Sequence, residues 1–132
     1  MAFSFVQTPI VRVFDAFKGL DASATTLSHD LAAKIHAVGR DGEIAAVGTC
    51  LDPVPPSFVA FFLAQVYHGC ELDSTAMRIK SSGAKLILIT RRLPLTEELE
   101  KDLAFEDLDN LLFKSPENAE KFPLKVFQLR TP

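Results

Sequence analysis

A chain of 132 residues, 48% hydrophobic and 23% charged, has the size and make-up of one ordinary globular domain that buries about two-thirds of its unfolded surface. Its two cysteines are too few for a disulfide framework; they suffice for one bridge, and a reducing compartment suits them equally well. A sequence pI near 5.6 weakens nucleic acid as the main partner, and no long stretch has the composition of a disordered tail.

The first residues, MAFSFVQTPIVRVFDAF, lack the basic start and uninterrupted apolar core of a signal peptide. The longest apolar run, Phe58 to Ala64, is far short of the ~20 residues needed to cross a bilayer. The expectation is a soluble, intracellular protein with a single domain over residues 1–132. FSFVQTPIVRVFDAF reads as one long or two short strands, interrupted at Pro9, which cannot donate to a ladder. A helix comes next, capped by Thr25 or Thr26, with Leu27, Leu31, Ile35 and Val38 on one stripe and Gly39 as its stop.

EIAAVGTCL (43–51) reads as a mostly buried strand, and DPVPP as a stiff loop. Ser57 then caps a second, largely buried helix, SFVAFFLAQVYH, which Gly69 would end. AMRIK, the turn SSGA and KLILITRRL form a β-hairpin. Its first arm alternates Met77 and Ile79 with Arg78 and Lys80, and its unbroken second arm suits a central strand covered on both faces. Thr96 caps an acidic helical stretch. Its stripe Leu99 and Leu103 lies opposite Ala104, Leu108, Leu111 and Leu112, so a break is expected near Leu103 to Phe105. SPENAEKF is a connector with one further helical turn, and PLKVFQLR a closing strand. The order β-α-β-α-β-β-α-β predicts an α+β fold: a mainly antiparallel or mixed sheet with two to three helices packed on it.

His68 and Cys70 flank Gly69, with Cys50 upstream, and this is the one crowding of soft ligands. Zinc normally takes four ligands with a tight pair such as C-x₂-C, and a cysteine nucleophile needs a base and a group orienting it; neither pattern surrounds this set. His29 and His36 lie seven apart rather than the four of a helical metal pair. No glycine pattern cradles a phosphate, and no G-x-S-x-G elbow appears. Pro53-x-x-Pro56 lacks a flanking base and serves better to stiffen the loop and start a helix. No catalytic residue, metal or small-molecule cofactor is indicated.

Charge layout is the most informative feature. From Thr75 to Leu95 there are five basic residues, Arg78, Lys80, Lys85, Arg91 and Arg92, and no acidic one. From Thr96 to Phe113 there are seven acidic residues, Glu97, Glu98, Glu100, Asp102, Glu106, Asp107 and Asp109, against Lys101 alone. Either the two blocks pack together and screen one another, or each presents a surface to a partner. The leading expectation is a non-enzymatic interaction or self-assembly domain that oligomerises or binds a protein through these surfaces. A second is an adaptor binding an anionic membrane or nucleic acid through the basic residues, although no aromatic residue in that stretch supports base stacking. In element order alone (aromatic strand, amphipathic helix, hairpin, helix and closing strand) the chain resembles the core of some small viral matrix proteins, which implies such a membrane role. It shares no motif with them and lacks their basic N-terminal tail. A third expectation, from another class, is a thiol- or metal-dependent enzyme using Cys50, His68 and Cys70.

Overall fold

The computed structural model describes residues 22–50 and 54–130. It is an α+β fold: six helices and a five-stranded mixed sheet among the described residues. The expected N-terminal strands, and Pro53 of the DPVPP loop, lie outside the described residues.

Helix α1 (Ala22–Ala37) carries the expected stripe, with Leu31 and Ile35 buried and Leu27 and Val38 half-buried against the same core. It is already formed at Ala22, so Thr25 and Thr26 lie inside it, and Ser28 donates to the Ala24 carbonyl at 2.7 Å. Gly39, at φ 70°, closes the helix as expected, its N–H bonding the His36 carbonyl.

Strand β1 (Ile44–Val47) leads through helix α2 (Pro56–Leu63) to strand β2 (Tyr67–Glu71). Here the structure corrects the sequence reading. The apolar helix begins at Pro56, in the first-turn position that needs no N–H, and Ser57 does not cap it. It stops at Ala64, whose φ of 55° is left-handed, rather than at Gly69. Tyr67 and His68 therefore belong to a strand. Gly69, at φ 98°, sits in a bulge: Ile44 pairs with Tyr67 and Ala46 with Cys70, so β2 carries one extra residue.

The expected hairpin is not formed. AMRIK is helix α3 (Ala76–Ser81), with the Thr75 hydroxyl accepting from the Arg78 N–H at 3.2 Å. Of its two large apolar residues only Ile79 is buried, whereas Met77 is exposed, so the two-residue alternation fits helix and strand equally. The second arm is strand β3 (Leu86–Thr90), covered on both faces as its unbroken apolar run implies. With the hairpin gone, the element order shared with viral matrix cores is gone as well.

Helix α4 (Pro94–Lys101) starts at Pro94, and Thr96 does not cap it: its buried hydroxyl donates to the Thr90 carbonyl at 2.6 Å. The expected break falls where it should, but the chain beyond it enters strand β4 (Phe105–Asp107) instead of a second helical segment. Helices α5 (Asp109–Leu112) and α6 (Pro116–Lys121) then lead to the closing strand β5 (Leu124–Leu129).

The strand order is β2-β1-β3-β5-β4, parallel among β1, β2 and β3 and antiparallel at β3–β5 and β4–β5. The crossovers from β1 to β2 and from β2 to β3 run in opposite directions, so a common right-handedness sends their helices to opposite faces. Leu86 and Leu88 of β3 meet α1, α2 and α5 in one core, and Ile87 and Ile89 meet Ile79 of α3 with Leu95 and Leu99 of α4 in the other. No helix among the described residues is long and apolar enough to cross a membrane.

Candidate functional site

The two charge blocks turn inward more than outward. Lys80 bonds Asp102 at 3.0 Å and stands over the Phe105 ring, and Arg91 grips Asp109 through both terminal nitrogens, at 2.8 and 3.2 Å, while its Nε donates to the Phe122 carbonyl. A bidentate guanidinium–carboxylate pair of this kind is among the stronger charged contacts. Arg78 instead pairs with Glu71 of β2 at 2.7 Å. Lys85 and Arg92 are exposed with no ion pair among the described residues, but they lie beyond opposite ends of β3. The five basic residues thus do not gather on one face.

On the acidic side, Glu100, Asp102, Glu106, Asp107 and Asp109 all hold partners within the chain, whereas Glu97 and Glu98 remain exposed and unpaired among the described residues. Two of these partners lie outside the basic block. Arg40 bonds Glu106 at 2.6 Å and also the Gln128 side chain. Lys125, 7% exposed near the start of β5, directs its ammonium to Glu100, to Asp107 at 2.7 Å and to Asp109 at 3.6 Å. Burial alone would pull the Lys125 pKa down, but the hydrogen bonds to Asp107 and Glu100 and the charges of Asp107 and Asp109 outweigh it and hold the pKa above the ordinary lysine value. Lys125 is therefore a locked cation, unsuited to act as a nucleophile. The sequence does carry a signal for it: a lone lysine inside the apolar strand PLKVFQLR.

Cys50, just beyond β1, and Cys70 of β2 are joined by a disulfide. Neither is a free thiol, so in this state neither supplies the nucleophile or thiolate ligand of the enzyme expectation. His68 bonds Glu43 at 2.7 Å, His36 bonds Asp41 at 2.9 Å, and His29 packs edge-on against Phe62. No group of three potential metal ligands converges among the described residues.

What the sequence did not expose is the surface around β2. This strand ends the sheet, and its outer side has no neighbour among the described residues. On the face away from α2 it offers only His68, Gly69 and Glu71, and α3 is a helix of six residues set beside it. An open groove of about 540 Å³ results, floored by Ala45, Val47 and Ile79 and rimmed by His68, Met77 and Arg78. On the opposite face Tyr67 and Cys70 pack against the core, and burial pushes the Tyr67 phenol above its usual range. Among the described residues six large apolar side chains are exposed, and four of them, Phe61, Val66, Leu72 and Met77, fall between the last turn of α2 and the first turn of α3. Phe61 and Met77 belong to helices on opposite faces of the sheet, whereas Val66 and Leu72 flank β2 itself.

Comparison with protein-family models, with curated proteins and with solved structures finds no match to this chain.

Proposed function

We propose that the chain is a non-enzymatic interaction domain that self-associates, two copies meeting at the edge strand β2. The observation that carries this reading is the open edge of β2 with an exposed large apolar residue just before it, Val66, and another just after it, Leu72. Most of the charged blocks first considered for this role are occupied by pairs within the chain, so the apolar edge takes their place.

The partner is a second copy because the edge is complementary to itself. In an antiparallel pairing centred on Gly69, Val66 of one copy comes level with Leu72 of the other at both ends, and the bulge turns the two to opposite faces, so that each face of the joint gains apolar surface. These two side chains are 57% and 76% exposed in the single chain, so each has apolar surface to lose. Gly69 has open space where a Cβ would stand, which allows two backbones to approach at the centre. Such a contact is isologous and closes at two copies, joining two five-stranded sheets edge to edge.

The register is testable by charge exchange. Val66→Lys alone and Leu72→Glu alone should each weaken the dimer, because each places a charge in the apolar joint. Mixed together they should recover association, since the long introduced ammonium and carboxylate then lie level at one end of the joint and the other end keeps its two apolar residues. Failure of the mixture to associate, with the wild-type chain dimeric, would exclude this register; a monomeric wild type would exclude self-association.

A further inference from the structure

We infer that the Cys50–Cys70 disulfide is a redox latch on the β2 edge, so that a dithiol reductant releases the strand and with it the self-association surface. The second half of this inference rests on the function proposed above; the first half stands on the geometry of β2 alone.

Strand β2 is held from one side only: it bonds to β1, with the Val66 and Glu71 carbonyls accepting from Ile44 and Gly48 at its two ends, and its other edge is open among the described residues. Its bulge interrupts the ladder to β1, leaving Ile44–Tyr67, Ala46–Cys70 and Val47–Glu71 as the paired positions. On one face only Tyr67 and Cys70 reach the core, both half-buried, and on the other lies the open groove. No helix presses on the groove side of Gly69, where nothing lies within 4 Å of a built Cβ. Strands with so few buried contacts belong to the part of a protein that opens first. The disulfide supplies what packing does not: it ties Cys70, next to the bulge, to Cys50 beyond the end of β1, across a sequence separation of 20. The Cys50 side is firmly seated, because Gly48 is wedged against Leu93 and Thr90 and Thr49 is fully buried. The latch thus joins a fixed point to a loose strand.

Both cysteines are partly exposed, so a small dithiol reaches the bond. One thiolate of the dithiol attacks a bridge sulfur, forming a mixed disulfide and expelling the other cysteine as its thiolate. The second thiolate of the dithiol then attacks the dithiol's own sulfur in that mixed disulfide and releases the remaining cysteine. Two electrons pass to the protein, the dithiol leaves as its cyclic disulfide, and its two protons end on Cys50 and Cys70. Freed from Cys50, β2 loses the anchor beside its bulge, and Val66 and Leu72 lose the fixed spacing that matches them to a second copy.

Hydrogen exchange on the full chain, oxidised and then in excess dithiothreitol, tests the latch. Amides 67–71 should lose protection on reduction while those of β3 keep theirs, and C50S/C70S should behave like the reduced protein without any dithiol. Equal protection of β2 in both states overturns the latch, and so does loss of protection throughout the sheet, which would make the bond a global staple. Sedimentation of the same samples should show dimer in the oxidised protein, monomer in the reduced one and dimer again on reoxidation. A dimer that persists on reduction overturns the coupling. An oxidised monomer whose β2 amides still respond to reduction removes the proposed function and leaves the latch in place.

Discussion

Lys80, on the last turn of α3, holds Asp102, just past the end of α4, at 3.0 Å, and so ties the basic block of the sequence to the acidic one within a single chain. The same carboxylate accepts the Ala104 N–H at 2.9 Å, which fixes the turn that carries the chain from α4 into β4.

These contacts give Asp102 a defined acid response. Its pKa is lowered first by the hydrogen bond from the Ala104 backbone and next by the one from Lys80. A carboxyl with a folded pKa below its unfolded one contributes stability that is present above the unfolded value and is lost as pH falls through the folded value. Asp102→Asn should therefore narrow the gap between thermal midpoints at neutral and strongly acid pH. An unchanged gap would show that the pair does not act on folding.

Lys125 should respond to alkali. Its folded pKa is raised, so the stability it contributes is present below the unfolded lysine pKa and is lost as pH rises through the folded value. Lys125→Met leaves Glu100 and Asp107 without their cation beside Asp109, which keeps Arg91, and should cost about 3 kcal/mol at neutral pH, as for a broken buried pair. Urea unfolding of the two proteins at neutral and alkaline pH measures both effects, and the difference between them should shrink in alkali.

Two glycines with positive φ should differ sharply when replaced. At Gly48, φ 72°, a Cβ would stand 2.4 Å from Leu93 Cδ1 and 2.9 Å from Thr90 Cγ2. Gly48→Ala therefore adds overpacking to left-handed strain and should cost about 3 kcal/mol in a denaturant titration. Gly69→Ala meets nothing within 4 Å in its own chain and should cost the monomer about 1 kcal/mol, from backbone strain alone. Equal costs would contradict the packing of the β3–α4 turn on Gly48.

Thr49 is fully buried, and its hydroxyl has no hydrogen-bond partner among the described residues. An unpaired buried polar group is a standing cost, so the isosteric Thr49→Val should stabilise the chain by about 1 kcal/mol. A lower urea midpoint for the variant would show that the hydroxyl is satisfied in solution.

The legible parts of the fold are those in which one physical signal dominates. The stripe on α1 and its Gly39 stop, the unbroken β3, the closing β5 and the break after α4 each rest on apolar periodicity over enough residues to be unambiguous. The errors fall on short elements and on ends. AMRIK is too short to separate a helix with one anchor from a strand, although Thr75, three residues before Arg78, is the cap signal that favours the helix. The end of α2 rests on a left-handed alanine, a conformation no composition rule assigns to that residue. As an edge strand with a groove on one side, β2 needs few apolar residues and so carries little signal. The disulfide is equally hidden, since a spacing of 20 has no signature of its own. The opposition of the charge blocks is plain in the sequence, but which charges meet depends on the fold, and Lys125 and Arg40 come from outside both blocks.

Sedimentation velocity of the oxidised chain across a wide concentration range tests the central claim most directly. The self-complementary β2 edge predicts a rise from the monomer to the dimer value that stops there, that changes little with salt because the contact is apolar, and that Leu72→Lys weakens without unfolding. A wild-type chain that stays at the monomer value throughout would contradict it, as would one that grows past the dimer.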